Sequence, residues 1–442
     1  MAEEQRDISS DQLRVAGDIN VDKVEVVSLY KNTSFSITNQ VRAIEIYEDM
    51  FSPFTTGSIV VQDSLDLINM LPFVGEEYLD IKLFSPTLDT GMGDDGIIQG
   101  RYFIYKMSER ENVGEKNVIY QLHFISAEAV NDLNVKLSRS FEGKISDIVG
   151  TLVKDGKMLG TDKPLILEDT KSSTKYVSNY WSVVENINFL TKQAANGNGS
   201  ATYCFFENRQ GFNFVSLDYL NEQKPSQVFN NGTANGEISP SGGSSRNIDE
   251  DFSKLLEFGV PHGFDIIDRV NSGTYASKLI SHDMTTKRYK TVNYDYLSKF
   301  NEGTETRLNK FPITTPDVAA RVNSAMFNIE TANQVFSGFG DVSNIRVLQD
   351  RTSRMKQAEA FKVHIKVNGR TDYTVGQVVK LNITSPSPTS TSDTPEQSED
   401  KMYSGNYIVS AINHSINKEK HECHMELIKD SLIFDLQTGK SS

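Results

Sequence analysis

Four residues near the C-terminal end could hold a metal: His414, His421, Cys423 and His424. On an extended strand His421 and Cys423 share a face while His424 points the other way, and the spacing is not a zinc signature. The sequence therefore predicts ordinary strand residues and no metal. Gly439-Lys440-Ser441 has the tail of a phosphate-binding loop, but the first glycine is missing and residue 442 leaves no helix to follow. No Gly-x-Ser-x-Gly nucleophile elbow occurs. The 59 acidic residues could supply a glycosidase-like pair, yet carboxylates define such a pair only where a cleft sets their separation. Tyr102, Tyr203, Phe205, Phe206 and Tyr407 fall at strand spacing and read as core rather than as a ligand platform. Cys204 and Cys423 lie in alternating apolar runs and read as buried, inert thiols. No catalytic, cofactor-binding or metal-ligating residue is predicted, and the chain is not expected to be an enzyme.

With those motifs set aside, the elements carry the argument. The 442 residues exceed what one hydrophobic core usually organises. With 38% hydrophobic and 24% charged residues, the composition is ordinary for a globular protein. No run approaches the roughly 18 apolar residues of a membrane span, so no membrane insertion is expected. Met1 to Asp7 is acidic and polar and lacks the basic and apolar regions of a secretory signal, which predicts folding in a cytoplasm. A net charge of −14 argues against a protein that grips phosphates. It fits plain solubility, or a surface along which DNA slides because like charge repels.

Residues 1–20 read as a flexible N-terminus. Over 21–126, short alternating segments such as Ile44/Ile46, Ile59/Val61 and Leu79/Ile81/Leu83 are separated by turn residues, the pattern of a small closed barrel. Residues 127–245 read as an α/β middle domain. There Ile145, Ile148, Val149 and Leu152 share a helical face, and Ser182-Val183-Val184-Glu185 is a capping box. A hairpin follows from Tyr203 to Leu220, then a Gly/Ser linker at 230–247. Residues 246–300 and 361–435 are predicted to form a second barrel around a helical insertion at 301–360, with Thr315-Pro316-Asp317 as one helix start. Phe361, Val363, Ile365 and Val367 alternate with polar residues as the cleanest half-buried strand. Residues 384–400 read as a loop, 405–430 as a hairpin closing near Asn417-Lys418-Glu419-Lys420, and 436–442 as a tail. The predicted fold class is α+β and β-rich, with two tandem tube-type small β-barrels, an intervening α/β domain and a helical insertion.

The two β-rich ends repeat one another. Gly75-Glu76-Glu77-Tyr78-Leu79-Asp80-Ile81 through Ser85-Pro86 matches Gly376-Gln377-Val378-Val379-Lys380-Leu381-Asn382 through Ser385-Pro386. Gly100-Arg101-Tyr102-Phe103-Ile104 matches Gly405-Asn406-Tyr407-Ile408-Val409, and a last apolar strand closes each copy. Glu48-Asp49-Met50 matches His282-Asp283-Met284 more weakly. Three such chains around a threefold axis would present six similar barrels.

An ordered set of segments resembles a known family, the central baseplate hub proteins of contractile-tailed phages. The set begins with Phe51-Ser52-Pro53-Phe54, Gly57-Ser58-Ile59, Asp63-Ser64 and Leu71-Pro72-Phe73-Val74-Gly75-Glu76-Glu77. It continues through Asn186-Ile187-Asn188-Phe189-Leu190, Phe205 to Phe212, Ser216-Leu217-Asp218, Gly273-Thr274-Tyr275-Ala276-Ser277 and Tyr294-Asp295-Tyr296. Its closing hairpin, with Gly405 to Val409, Ile412-Asn413-His414 and Met425-Glu426-Leu427, is similar to that of type VI secretion spike proteins as well. The resemblance covers about residues 22–435, least clearly at 301–345 and 384–400. It implies a homotrimeric, pseudo-hexameric ring in the virion tail baseplate, assembled in the host cytoplasm. The ring would adapt the tail tube, or a tube-initiating baseplate protein, to a trimeric cell-puncturing spike. Baseplate wedge proteins would surround it, and DNA would pass through its bore without specific binding. Two other classes stay open from the residues alone: a tail-associated peptidoglycan- or glycan-degrading enzyme, and a carbohydrate-binding receptor module.

Overall fold

A computed structural model describes residues 16–436 apart from 29–32, 66, 71–73, 87, 89–95, 115–116, 232–247, 264, 284–286, 315–325, 333–342, 386–398 and 419. Expectations for residues 1–15, the linker at 232–247, the Thr315-Pro316-Asp317 helix start, most of the 384–400 loop, and Gly439-Lys440-Ser441 lie outside the described residues.

Period-2 alternation builds the first half of the molecule. Its strands are β1 (Asn20–Ser28), β2 (Thr33–Ser36), β3 (Val41–Asp49), β4 (Thr56–Asp63), β5 (Glu77–Phe84), β6 (Ile97–Val113) and β7 (Asn117–Ser126). Val24, Ile44, Ile59, Leu79, Ile81, Leu122 and Phe124 meet in one core, because every second residue of a strand faces the same side. Gly57 is required here: a Cβ would stand 2.3 Å from both the Glu45 carbonyl oxygen and the Phe124 ring.

The middle block holds α1 (Ala127–Asn134), β8 (Ser140–Lys144), α2 (Ile145–Lys154), β9 (Leu165–Leu167), β10 (Ser173–Val177), α3 (Val183–Thr191), β11 (Cys204–Asn208) and β12 (Gly211–Val215) around a second core. The capping box at α3 forms, with Ser182 Oγ accepting from Glu185 N and the Glu185 carboxylate accepting from Ser182 N. The hairpin of β11 and β12 turns at Gly211, whose φ of +132° disfavours any side chain.

The remaining strands are β13 (Gln227–Asn231), β14 (Leu255–His262), β15 (Ala276–Asp283), β16 (Arg288–Asp295), β17 (Met326–Ala332), β18 (Phe361–Asn368), β19 (Val378–Ile383), β20 (Gly405–Asn417) and β21 (His421–Lys429), with helix α4 (Ser343–Ala358) before β18. The largest sheet runs β14-β18-β21-β20-β3-β4-β7-β6-β5-β1-β2, and β19 and β13 branch from β20.

Strand pairing repeats across this sheet. The antiparallel series β3–β4–β7–β6–β5 is matched by β14–β18–β21–β20–β19, also antiparallel throughout. Two of the irregularities recur, whereas the slips between Ser108 and Glu111 on β6 and between Gly259 and His262 on β14 have no counterpart. Register slips between Val41 and Ala43 on β3 and between Leu255 and Glu257 on β14. It slips again between Ile104 and Lys106 on β6 and between Val409 and Ala411 on β20. Bulges at these two matched positions follow the same repeat. The outermost pair departs from the pattern, since β1–β5 is antiparallel whereas β13–β19 is parallel.

Several expectations need correction. Strands β15 and β16, expected within the second barrel at 246–300, pair instead with β17 in a separate three-stranded sheet. Strand β13, expected in the middle domain, joins the large sheet, and the insertion at 301–360 contains β17 as well as α4. His282-Asp283 on β15 therefore does not match Glu48-Asp49, because β14 occupies the place of β3. The glycine-anchored repeat set Ile81 against Asn382. The registers pair Ile81 with Gly100 and Leu381 with Gly405, so Ile81 corresponds to Leu381. Alternation reveals that a segment is extended and half-buried; it does not reveal which edge it joins.

Candidate functional site

The two halves of the large sheet meet where β3 pairs with the C-terminal part of β20, from Ala411 opposite Asp49 to Asn417 opposite Ala43. The joint is packed reciprocally: Met50 lies in the second-half core and Ile416 in the first-half core. Glu48 is fully buried there, its Oε2 accepting from Thr374 Oγ1 at 2.5 Å and Val375 N at 3.2 Å. Burial raises its pKa to about 7 despite those donors. The folded protein thus holds this proton more tightly than the unfolded chain. That stability is complete below pH 4.5 and is lost as pH climbs through about 7. Glu48→Gln keeps an acceptor and does not titrate. It is expected to remove up to roughly 3 kcal/mol of that loss, read as a flatter dependence of Tm on pH; an unchanged slope would assign the effect elsewhere.

Two strand edges answer to this joint and have no partner among the described residues. Strand β14 pairs only with β18. The outer part of β6 pairs with β7 from Lys106 to Val113, while β5 takes only Ile97 to Phe103. Tyr105, Met107 and Val113 are exposed on that outer part. Under the repeat, β14 matches β3 and the outer part of β6 matches the part of β20 that β3 covers.

One buried cluster looks chemical. Lys163 Nζ lies 2.7 Å from Ser126 Oγ, 2.7 Å from Glu128 and 2.6 Å from Glu207. A lysine can activate a serine. Here burial opposes the Lys163 charge, yet Glu207 and Glu128 outweigh it and keep the pKa above the ordinary lysine value. Ser126 Oγ points at the two carboxylates, and Glu207 Oε2 also accepts from Thr55 N at 2.9 Å. A protonated lysine cannot act as the base, so the cluster ties β7 to β11 rather than poising a nucleophile. A second buried network spans α4 and three other segments. Arg354, 1% exposed, sits 2.5 Å from Asp218 and near Glu305 and Asp430. Arg307 pairs with Glu305 and lies 3.6 Å from Asp430. A pocket between Ser272, Lys278 and Gln349 encloses about 10 Å³, room for one water.

The residues considered for a metal fall as follows. His421 and Cys423 face inward and His424 outward, as strand alternation predicts. His414, on the neighbouring strand, stands opposite Cys423 and completes a fully buried group of three. The signal was present: a hairpin closing at 417–420 fixes which residue of one strand faces which on the other. Burial lowers the His414 pKa to about 4 and keeps both rings neutral. The five aromatics read as core are all buried.

No family model matches the chain. Over 420 residues, covering 90% of this chain and 92% of the relative, it is 21% identical to a probable baseplate hub protein of Vibrio phage KVP40. Among solved structures it is similar to a tail protein from Neisseria meningitidis, with TM-score 0.54 and 9% identity over 92% of this chain and 96% of that one. It is also similar to a 43 kDa tail protein of a Shewanella oneidensis prophage, with TM-score 0.55 and 6% identity over 93% and 99% of the two chains. At such identities the structural likeness is one of fold.

Proposed function

We propose, starting from this chain's resemblance to the baseplate hub proteins of contractile-tailed phages, that it is a structural subunit of a phage tail baseplate acting through assembly rather than catalysis. The two matched halves of the large sheet are read as two tube-type barrels. Three chains would then form a pseudo-hexameric ring that matches a sixfold tail tube on one face and a threefold spike on the other. Wedge proteins would surround the ring, and an acidic bore would let DNA pass without adhering.

The observation that carries this reading is the internal joint together with its unused copy. Inside the chain, β3 of one half pairs with β20 of the other. The matched edges, β14 and the outer part of β6, are left over, β14 at one end of the sheet order and β6 towards the other, ahead of β5, β1 and β2. Pairing β14 of one subunit with β6 of the next repeats the internal joint between subunits and leaves neither of these two edges unpaired. Counted from the paired strands β7 and β21, and with the extra β6 residue between Ser108 and Glu111 that β20 lacks, Asn417 corresponds to Val113; Asn417 faces Ala43 within the chain, so Val113 should face Glu257 of the neighbouring subunit.

Native mass measurement of the chain, alone and coexpressed with its spike, tests the ring. Assemblies containing three 49.5 kDa copies are expected; a chain that stays monomeric in both preparations would refute it. The purified chain is also expected to leave a cell-wall suspension turbid. Reproducible clearing, lost on substitution of a single acidic residue, would favour a glycan-degrading enzyme instead.

A further inference from the structure

Three side chains converge inside the second half of the large sheet. His414 Nδ1 lies 3.0 Å from His421 Nε2 and 3.3 Å from Cys423 Sγ, and His421 Nε2 lies 3.4 Å from the same sulfur. All three residues are 0% exposed. Hydrogen bonding alone accounts poorly for this triangle. A ring nitrogen carries either one proton or one in-plane lone pair, so His414 Nδ1 cannot accept from both neighbours at once. A cation at the shared focus would engage all three converging atoms.

We propose that His414, His421 and Cys423 form a binding site for a zinc ion. Two imidazoles and a thiolate are a zinc donor set. Tetrahedral zinc, with bonds of about 2.0–2.1 Å to nitrogen and 2.3 Å to sulfur, separates its ligand atoms by roughly 3.3–3.6 Å; the observed triangle needs to open by only a few tenths of an ångström. Three protein ligands leave the fourth position to a water. The surroundings hold the ligands in place. Gly369 lies against the His421 ring, where a Cβ would come within 2.3 Å of it. The backbone of His421 bonds to Gly17 and Gly369, and His414 faces Ile46 across the joint. The ion would therefore staple the β20–β21 hairpin beside the place where β3 docks. This site does not depend on the ring.

The test uses the full chain, loaded with zinc and then dialysed, with cobalt(II) as a spectroscopic substitute. One zinc retained per chain is expected, together with a thiolate-to-cobalt charge-transfer band and a Tm that falls on chelation. Cys423→Ser should lose the band and the retained zinc, while Cys204→Ser, which alters the other buried thiol, should keep both. Circular dichroism would confirm that each variant is folded. A wild-type chain that retains no zinc, or a band that survives in Cys423→Ser, would overturn the proposal.

Discussion

Arg354→Met is expected to destabilise the region around α4 by about 3–5 kcal/mol, the usual consequence of removing one member of a buried ionic network. Arg354 is the cation next to Asp218, and it is hydrogen-bonded to Ser200 Oγ at 2.7 Å and to the Thr306 carbonyl at 3.2 Å. Without it, Asp218 would lose the cation beside it, and Glu305 and Asp430 would share Arg307 in a water-poor site. Methionine fills similar space, so the loss reports charge rather than a cavity. Amide exchange in α4 and at the end of β21 reads the effect locally. Protection there equal to wild type would show that the network carries no net stability. Asp350, hydrogen-bonded to Glu305, gives a second handle: burial, followed by the nearby Glu305, raises its pKa to about 7, so its contribution is kept at acid pH and lost as pH rises through about 7.

Val363→Asp is expected to abolish folding of the second half of the sheet. Val363 is fully buried in a core with Ile365, Val367 and Leu427, and faces Leu427 across the β18–β21 ladder. An unpaired carboxylate there costs several kcal/mol, comparable to the whole stability of a domain. His364→Asn, one residue on and facing outward, should leave yield and assembly unchanged. Soluble, wild-type-like assembly of Val363→Asp would contradict the burial of β18.

How far these features were legible differs with their range. Strand β18, the α3 capping box and the β20–β21 hairpin depend on neighbouring residues, and each appears where the sequence places it. The repeat was visible through Gly100 and Gly405, although the copies align one residue away from where the leading glycines suggest. What failed was the assignment of strands to sheets. β15 and β16 alternate as well as any strand, yet their partner is β17, and β13 reaches the large sheet by a parallel pairing that no local pattern announces. The Arg354 network was illegible for the same reason, since its members at 218, 305, 307, 354 and 430 are brought together only by the fold. His414 is intermediate. Its position opposite Cys423 follows from the hairpin turn, but reading outward from His421 along one strand does not reach it.

The most direct test of the account is oxidative cross-linking of Val113→Cys with Glu257→Cys in one chain, performed on assembled rings. Val113 is 45% exposed and the Glu257 side chain 72% exposed, so neither change disturbs a core. Directly opposed antiparallel residues place their Cα atoms about 4.5–5.5 Å apart, within the roughly 4.4–6.8 Å that a disulfide spans. A covalent series ending at three chains is expected, with neither single variant cross-linking. Rings that assemble yet give no covalent product, or a ladder extending past three, would contradict the repeated joint.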